Sequence, residues 1–481
     1  MPTCLKDGIE AAPAPEDWLR ELKEAVGGPA HVLSSLPDRI AYARDRAPYS
    51  TFRFRDGTLP GTLPLAIVRP GSEAEVQAVV RWARQRKVAL VPYGAGSGVL
   101  GGAVPLHGEL VVDTKRLSGI VGLDEIDGTA TVEAGTNGGA FEEELNARGF
   151  TAGHLPQSLH MSTVGGWAAC RGAGQVSARY GKIEDIVIGL RAVLPDGAVL
   201  DVLPAARRAV GPSLKDLLIG SEGTLGIITR LTLRVWRLPD HTEPVVIAFP
   251  TLPAAFGALR GLLQDEVRPL MTRLYDATES AHRVGAEPLP PTHPYLCILA
   301  FSGPRRLAEA ERDVALEHIT AAGGARLGDA AYEAWKSVRY QSYSPQHQAA
   351  GRYMDTIEVT APWRALDTLY DDVAAAVRAV HPEVYFAAHW SHTYPEGACQ
   401  YMTLRLPPMP SEQGYRLHEA LWDTVQRLCL ERGVSISHHH GSGFLRNPWL
   451  EKELNAGMDL LRALKRAIDP DNLLNPGKLA M

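Results

Sequence analysis

The sequence is poor in cysteine, in positive charge and in long apolar runs. Its five cysteines are scattered and form no CxxC pair, which excludes a disulfide framework and a cysteine zinc site. The net charge of −6 excludes the basic footprint that is typical of nucleic-acid-binding proteins. No apolar run approaches the roughly 18 residues needed to span a bilayer, and the N-terminal residues lack the apolar core of a signal peptide. The last residues, PGKLAM, do not form a peroxisomal address. We therefore expect a cytoplasmic protein with no nucleic-acid partner and no transmembrane segment.

What is present is an average globular composition. The 481 residues are 45% hydrophobic and 22% charged, enough for a large core in about two or three domains. Hydrophobic periodicity indicates strands at Leu110–Asp113 and Thr129–Glu133 and a helix at Ser72–Arg86, in mixed order. The pattern predicts an α+β fold with a second unit that begins near Pro239. One helix is predicted over Pro448–Ala467.

A glycine-rich loop, VPYGAGSGVLGG, follows the first predicted strands. It contains a formal GxGxxG at Gly96, Gly98 and Gly101. A Rossmann site would need a helix after the loop and an acidic residue about 20 positions later. Here GAVPLHG cannot begin a good helix, Glu109 and Asp113 come too soon, and the GK[ST] of a P-loop is missing. The pattern instead predicts a nest of backbone N–H groups for a pyrophosphate, with an ordinary glycine-rich turn as the alternative.

Two later segments also combine hydroxyl side chains with glycines. They are HLPQSLHMSTVGGWAACRGAG, which begins at His154, and GSEGTLGII, which begins at Gly220. Both are suited to hydrogen-bonding a large polar cofactor that the backbone approaches closely. With STVGG and GSEGTLGI in this order, residues 60–238 resemble the FAD-binding domain of the vanillyl-alcohol-oxidase and p-cresol-methylhydroxylase (PCMH) superfamily.

The resemblance implies a two-part, PCMH-type FAD-binding domain that holds the pyrophosphate at the first loop. Carried over residue by residue, it implies cofactor contacts along all three loops. These are Pro92, Tyr93, Gly94, Ala95, Gly96, Ser97, Gly98, Gln157, Ser158, Ser162, Thr163, Gly165, Gly166, Cys170, Arg171, Gly172, Ala173, Glu222, Gly223, Thr224, Leu225, Gly226, Ile227 and Ile228. Some relatives attach the flavin covalently through a histidine or cysteine of the first loop, and this loop contains neither. We therefore predict non-covalent FAD.

Three consecutive histidines, His438, His439 and His440, lie in the segment SISHHHGSG. In an extended segment alternate side chains face the same way, so His438 and His440 would share one face and His439 the other. Neutral imidazoles transfer protons near neutral pH, which suits a site that handles substrate hydroxyls. Tyr401, in the strand-like GACQYM, would present a phenol to the same site. A solvated loop or a chance metal-binding tract is the alternative.

The motifs GACQY, SISHHHGSG, STVGGW and TRLYD together resemble the alkyldihydroxyacetonephosphate synthases, which are flavoenzymes of ether-lipid synthesis. The resemblance implies that Tyr401 is the acid/base, that the triplet His438–His440 is needed for activity and that Arg273 lies in the active site. The implied reaction is redox-neutral: the acyl group of a dihydroxyacetone phosphate-like substrate is exchanged for an alkoxy group through a flavin N5 adduct. The resemblance also implies a second active-site arginine some 15 residues before the segment EVTAPW, which begins at Glu358. Without a gap in the alignment, that position is Ser344 in this chain.

A second interpretation is an FAD-linked oxidase or dehydrogenase, an oxidoreductase that acts on a 2-hydroxy acid or an alcohol. Relatives of that kind share the NPGK ending, here Asn475–Lys478, and many carry a metal site with a His-x6-His and a Glu-His-Gly motif. His439 stands at the glutamate position, and His392 and Tyr401 match the strand motif only loosely, so we predict no metal. A third interpretation, a non-catalytic FAD-binding or sensor protein, is disfavoured by the density of histidines and polar aromatic residues.

These inferences divide the chain into four parts. They are an N-terminal helical segment (1–59), the PCMH-type FAD-binding domain (60–238), an α+β cap domain for the substrate (239–432) and a C-terminal segment (433–481) whose histidine loop completes the active site. The expected partner is a small-molecule or lipid-like substrate. The oligomeric state stays open, with a homodimer among the options.

Overall fold

The computed structural model describes residues 14–48, 50, 52, 62–283, 288–341 and 353–481. Its strands form a four-stranded, a five-stranded, a two-stranded and a seven-stranded sheet, with helices between them. The predicted α+β fold is therefore confirmed. No helix within these ranges is both long and apolar enough to cross a membrane. Ser344, at the position of the further family arginine, lies outside the described residues.

The first two sheets correspond to the two parts expected of the FAD-binding domain. In spatial order, the four-stranded sheet consists of Val32–Leu33, Ile67–Val68, Leu110–Asp113 and Leu90–Tyr93. Its last three strands are parallel, and helix Glu73–Arg86 covers them with a stripe of buried valines. This helix begins where the sequence predicts it, because the Ser72 hydroxyl accepts a hydrogen bond from the Glu75 N–H.

The five-stranded sheet is antiparallel throughout. In spatial order it consists of Ile120–Asp124, Thr129–Glu133, Ile227–Arg234, Val187–Val193 and Val199–Val202. Two short strands, Phe150–Thr151 and Trp236–Arg237, pair beside it. The helices of this half are Gly138–Ala147, Val164–Ala169, Ser177–Tyr180, Ile183–Ile186 and Leu214–Leu218. Ile227 packs into the core of the first sheet and its neighbour Ile228 into that of the second, because adjacent residues of a strand face opposite ways.

The seven-stranded sheet lies within the residues predicted to form the cap domain and is also antiparallel. In spatial order its strands are Ala325–Leu327, His241–Phe249, Tyr295–Gly303, Met271–Tyr275, Tyr385–Tyr394, Gly397–Arg405 and Met354–Pro362. The helices of this part are Leu252–Gln264, Ala277–Ser280, Arg305–Ala321, Ala330–Val338, Trp363–Val380 and Ser411–Glu431. The four longest pack on one face and bury the largest apolar core of the described chain.

The register of this sheet aligns polar residues on the opposite face. Tyr275 pairs with His389, His389 with Tyr401, and Tyr401 with Glu358, so these four form one row across adjacent strands. Side chains of directly paired residues project from the same face. A β-bulge after His389 shifts the alternation of its strand, so that His392 also returns to the polar face. The fold thus concentrates ionisable side chains on the face opposite the four longest helices, beside the part that helix Ala330–Val338 covers.

Two features of this half differ from the sequence-based expectation. Strands Met354–Pro362 and Tyr385–Tyr394 were not predicted, because their charged and histidine residues interrupt the apolar alternation. The single helix predicted over Pro448–Ala467 is wrong. Two helices, Asn447–Leu454 and Ala456–Ile468, replace it, since Asn455 between them has a φ of 49° that no helix contains.

Both terminal segments pack against the FAD-binding half. Helices Glu16–Ala25 and Leu36–Tyr42 lie near the N-terminus, and the strand between them pairs with Ile67–Val68 across the predicted boundary. The C-terminal tail returns to strand Leu90–Tyr93, where Leu90 N–H donates to the Leu473 carbonyl at 2.7 Å. The boundaries at residues 59 and 433 remain predictions.

Candidate active site

The three glycine-rich loops converge in the structure. A Cβ on Gly94 of the first loop would lie 2.4 Å from Thr163 Oγ1 of the second. A Cβ on Gly223 of the third loop would lie 2.8 Å from Pro92 Cγ. Gly96 has a φ of 64°, and a Cβ there would meet a tyrosine oxygen at 2.0 Å. The bare backbone of these loops therefore forms a cradle of the kind that binds phosphate groups.

The residues predicted to contact the cofactor do not all face this cradle. Most are buried or half-buried loop residues. Gly98, Gln157 and Arg171 are exposed; Gln157 donates to the carbonyl of residue 341 at 2.6 Å, and Arg171 pairs with Glu184 at 3.1 Å. The carboxylate of Glu222 hydrogen-bonds the segment that follows the histidines. Ser158 lies in the second loop, where its carbonyl accepts from the Ser162 hydroxyl at 2.8 Å.

Tyr401 lies at the centre of the polar face of the cap sheet. Its ring stacks on His389, with centroids 4.7 Å and planes 19° apart, and on His439, at 5.9 Å and 20°. His440 approaches the same ring edge-on at 5.6 Å. The Tyr401 hydroxyl donates to Thr356 Oγ1 at 3.0 Å. Burial raises the pKa of Tyr401 above its ordinary value, so the phenol is protonated at neutral pH.

Arg273 lies on this face through its strand register. Its guanidinium donates to Tyr275 Oη at 3.0 Å and lies 3.1 Å from His389 Nε2. Because arginine only donates, His389 Nε2 must accept, and its Nδ1–H then points to Glu279 Oε2 at 3.2 Å. Burial lowers the pKa of His389 more than Glu279 raises it, so the imidazole is neutral. Arg273 and Tyr401 therefore both contact one oriented, neutral imidazole.

The segment SISHHHGSG, residues 435–443, is called the histidine loop here, and it bends around the buried carboxylate of Glu358. This carboxylate accepts hydrogen bonds from the N–H of His438 and from the N–H of His440, the second at 2.9 Å. Arg446 Nη1 lies 3.0 Å from Glu358 Oε1, and neither side chain is exposed. Burial alone would raise the pKa of Glu358, but the Arg446 charge and the two amides outweigh it and lower the pKa. Glu358 is therefore an anion that anchors the loop.

This anchoring decides where the three imidazoles point. The expected alternation, with His439 opposite the other two, is wrong, because two amides that share one carboxylate bend the chain. His439 and His440 both contact Tyr401, whereas His438 Nε2 lies 2.9 Å from Tyr394 Oη. Burial lowers the pKa of each of the three imidazoles. They are therefore neutral at neutral pH, and each neutral ring has one nitrogen that accepts a hydrogen bond and one that donates.

A chain of hydrogen bonds joins the histidine loop to the FAD-binding half. His438 Nδ1 and His439 Nδ1 lie 2.9 Å apart. Tyr394 Oη contacts both His438 and, at 3.1 Å, the hydroxyl of Ser177. Ser177, which belongs to the FAD-binding half, lies 2.8 Å from His392 Nδ1. The polar face of the cap thus meets the cofactor half through hydroxyls and imidazoles.

Comparison with known families accounts for both halves of this site. Residues 64–203 match the FAD binding domain, and residues 238–479 match the C-terminal domain of FAD linked oxidases. The chain belongs to the FAD-linked oxidase family. The convergence of the three loops fits the cofactor of this family, because their glycines let the loops approach one another closely where this domain holds FAD. Non-covalent attachment stays a prediction.

Relatives within and around this family include enzymes of two kinds. The alkyldihydroxyacetonephosphate synthase of Dictyostelium discoideum is 29% identical over 96% of this chain and 80% of its own length. The D-2-hydroxyglutarate dehydrogenase of Xanthomonas citri pv. viticola is 31% identical over 86% of this chain and 89% of its own. A solved alkyldihydroxyacetonephosphate synthase superposes with a TM-score of 0.80 at 26% identity, covering 98% of this chain and 87% of that one. The resemblance to the PCMH superfamily and to the synthases is thereby confirmed.

A cluster of imidazoles at this site has the spacing of metal ligands. Ring nitrogens of His392, His438 and His439 lie within 4.8 Å of one another. Tyr401, the loosely matched ligand of the dehydrogenase pattern, hydrogen-bonds Thr356 instead. Three imidazoles suit Zn²⁺, although four of their six ring nitrogens already make hydrogen bonds here. The absence of a metal stays a prediction.

Several residues of the site escaped sequence-based reasoning. Arg446 carried a usable signal, because it is a lone charge between Phe444-Leu445 and Pro448-Trp449, and a buried charge implies a partner; Glu358, three residues after Asp355, carried a weaker one. Ser177 and Glu279 carried none. Only the fold brings Ser177 to His392 and Glu279 to the neighbouring strand.

Proposed function

We propose that the chain is an FAD-dependent enzyme that exchanges the acyl group of an acyl-dihydroxyacetone phosphate-like substrate for the alkoxy group of a fatty alcohol. The observation that carries the proposal is the stacking of Tyr401 with His389 and with His439, in which a protonated phenol contacts two neutral imidazoles. A positioned proton donor next to proton acceptors is what an exchange of two oxygen substituents needs. The similarity to synthases over nearly the whole chain supports the same assignment.

The proposed exchange is balanced without an electron acceptor. The bond between the substrate carbon and the acyloxy oxygen breaks, and a bond from that carbon to the alcohol oxygen forms. The alcohol gives up one proton, and the fatty acid leaves as a carboxylate. We assign proton transfer to Tyr401, with His439 and His440 as the neutral acceptors in contact with it. Arg273 is the cation proposed to hold the anionic head group.

When bound, FAD would supply the flavin ring as the reactive group of the redox-neutral exchange. We propose that it binds without a covalent bond. The first loop offers no histidine or cysteine, and burial raises the pKa of the Cys170 thiol to about 12, which leaves no thiolate there. Acid denaturation should release all yellow colour into the supernatant, and flavin that remains with the precipitated protein would contradict this.

The reaction is tested with purified, flavin-loaded protein under anaerobic conditions. Acyl-dihydroxyacetone phosphate and a long-chain alcohol should yield free fatty acid and an alkyl ether in equal amounts without any electron acceptor. Omitting the alcohol serves as the control for ether formation. Flavin that bleaches with a 2-hydroxy acid, in the absence of fatty acid release from the acyl substrate, would contradict the proposal.

That outcome would support the second candidate, an oxidation of a 2-hydroxy acid or alcohol. The observation in its favour is the set of Arg273, His389 and Glu279, which places a cation beside a neutral base. Such a pair can bind a carboxylate and accept a hydroxyl proton. The dehydrogenase relative is consistent with this candidate.

A further inference from the structure

Glu222 lies in the third glycine-rich loop, where the sequence resemblance implies a cofactor contact. Its backbone has a φ of 49°, and its two carboxylate oxygens each accept a hydrogen bond from the histidine loop. Oε1 accepts from the Ser442 N–H at 2.6 Å, and Oε2 from the Gly443 N–H at 2.8 Å. The hydrogen bonds of this carboxylate are therefore made to the protein chain that carries the histidines.

The chain packs so closely around this carboxylate that two neighbouring positions have room only for glycine. A Cβ on Gly102, at the end of the first loop, would lie 2.7 Å from Glu222 Oε2, and one on Gly441 would lie 2.6 Å from Oε1. The Asn475 amide donates to the Glu222 carbonyl at 2.6 Å and to the Gly102 carbonyl at 2.9 Å. The first loop, the third loop, the tail and the histidine loop thus meet at one residue.

Two carboxylates from different halves hold successive amides of the histidine loop. Glu358 of the cap sheet accepts from residues 438 and 440, and Glu222 of the FAD-binding half accepts from residues 442 and 443. Only Gly441 separates the amides held by Glu358 from those held by Glu222, so His440 lies two residues from the nearest amide that Glu222 holds. Movement of the third loop would therefore be transmitted to the imidazoles.

We propose that Glu222 is a positioning residue that couples occupancy of the cofactor loops to the placement of the histidine triplet, and that it does not itself bind FAD. The proposal rests on the histidine loop being part of the active site, whichever reaction that site catalyses. Coupling of this kind is reciprocal. FAD should stabilise the histidine loop, and the two hydrogen bonds from this loop to Glu222 should be needed for that effect.

The test compares Glu222→Gln and Glu222→Ala with the wild type and with Glu144→Gln, a control on the surface of the same half. Glutamine keeps one acceptor and nearly the same shape, and alanine removes both acceptors. Because the coupling is reciprocal, we expect FAD affinity in both variants to fall by no more than the factor by which FAD slows opening of the histidine loop in the wild type. We expect kcat to fall by about 10- to 100-fold per lost acceptor, the factor for one hydrogen bond to a charged group, with KM changed little.

A second readout does not depend on turnover. The Arg446 side chain is fully buried, so trypsin should spare the bond after it in the flavin-loaded wild type. Adding FAD to the apoprotein should slow this cleavage in the wild type and in Glu144→Gln, but not in Glu222→Ala. If the alanine variant does not fold, the glutamine variant carries the same comparison.

Loss of FAD in proportion to loss of activity would overturn the proposal, because Glu222 would then be a cofactor ligand. Full FAD content with unchanged protection of the Arg446 bond would overturn it as well. If the proposed acyl exchange itself is incorrect, the wild type will release no fatty acid. The protection of the Arg446 bond by FAD can still be measured in that case.

Discussion

Arg446 and Glu358 form an ion pair at 3.0 Å in which neither side chain is exposed. The arginine also donates to the Ser437 hydroxyl at 2.7 Å and to the Gly441 carbonyl at 2.6 Å, on either side of the histidines. One buried pair therefore fixes both ends of the triplet, and the charge of each partner is compensated only by the other and by the loop. This arrangement makes the site sensitive to the removal of either charge.

We predict that Glu358→Gln lowers the free energy of unfolding by about 3–5 kcal/mol, because it leaves a buried guanidinium without a counter-charge. The double variant Glu358→Gln/Arg446→Met should recover part of that loss, since no unpaired charge remains. Urea denaturation of the two single variants and the double variant measures both effects. Additive losses would show that the two side chains act independently.

The consequence for activity differs from the consequence for stability. Even the double variant lacks the anchor that bends the histidine loop, so its turnover should stay low while its stability recovers. A double variant that regains turnover together with stability would show that Glu358 only stabilises the fold. Glu144→Gln, which breaks an exposed pair on the cofactor half, should leave both quantities unchanged.

Tyr401 and His440 are expected to act on the same proton. Tyr401→Phe keeps the ring that stacks on His389 and removes only the hydroxyl bonded to Thr356, so packing should survive. Turnover should fall by about 10²- to 10⁴-fold, as for the loss of a positioned acid or base. His440→Ala should have a similar effect, and the double variant should be little worse than the worse single variant.

Flavin content and melting temperature of these variants are measured on the preparations used for turnover. Both should match the wild type in Tyr401→Phe. Normal turnover in that variant would remove Tyr401 from the mechanism. Thr356→Val is a useful companion, because it removes the partner of the hydroxyl and leaves the phenol in place.

Gly96 tests the cradle with a minimal change. Its φ of 64° disfavours any side chain, and the methyl of Gly96→Ala would lie 2.0 Å from Tyr93 Oη, so the loop must shift. We predict weaker FAD binding, measured by titrating the apoprotein with FAD. Gly122→Ala is the matched control, since a Cβ there would meet no atom within 4 Å. Equal FAD affinity in both variants would mean that the first loop is not the phosphate site.

The sequence predicted the fold and the cofactor half better than it predicted the geometry of the site. Local signals sufficed for helix Glu73–Arg86, which has its serine cap and apolar stripe, and for the glycine loops, whose spacing is a family signature. Tyr401 and the histidines were found as motifs. Their contacts were not, because they depend on strand register: a shift of one residue would have turned Tyr401 to the other face.

The bend of the histidine loop shows the same limit. Nothing in SISHHHGSG indicates that two of its amides bind a glutamate of a distant strand and two others a glutamate of the cofactor half. Without those carboxylates the extended alternation would be the reasonable expectation. The orientation of the imidazoles is thus a tertiary property, and local sequence could not give it.

His154 offers a test of burial in the cofactor half. Among the described residues neither of its ring nitrogens has a hydrogen-bond partner, and the ring lies 4.7 Å from Trp167. Burial, helped by the Lys182 charge, lowers the pKa of His154 from 6.5 to about 3. Because the folded pKa lies below the unfolded one, titration of this residue costs the folded state nothing above about pH 6.5. It destabilises the folded state increasingly as the pH falls from about 6.5 toward 3.

His154→Phe keeps a ring of similar shape and removes both the unpaired nitrogens and the titration. At pH 7 the variant should be at least as stable as the wild type, since an unsatisfied buried polar group costs about 1–3 kcal/mol. The difference in its favour should be about 2 kcal/mol larger at pH 5 than at pH 7, because only the wild type then binds a proton on unfolding. Urea denaturation of the apoprotein at the two pH values measures this difference in the free energy of unfolding.

A variant that is less stable than the wild type at pH 7, or whose advantage in stability does not grow on acidification, would show that the imidazole has a partner. A loss of FAD affinity in the same variant would identify that partner as the cofactor.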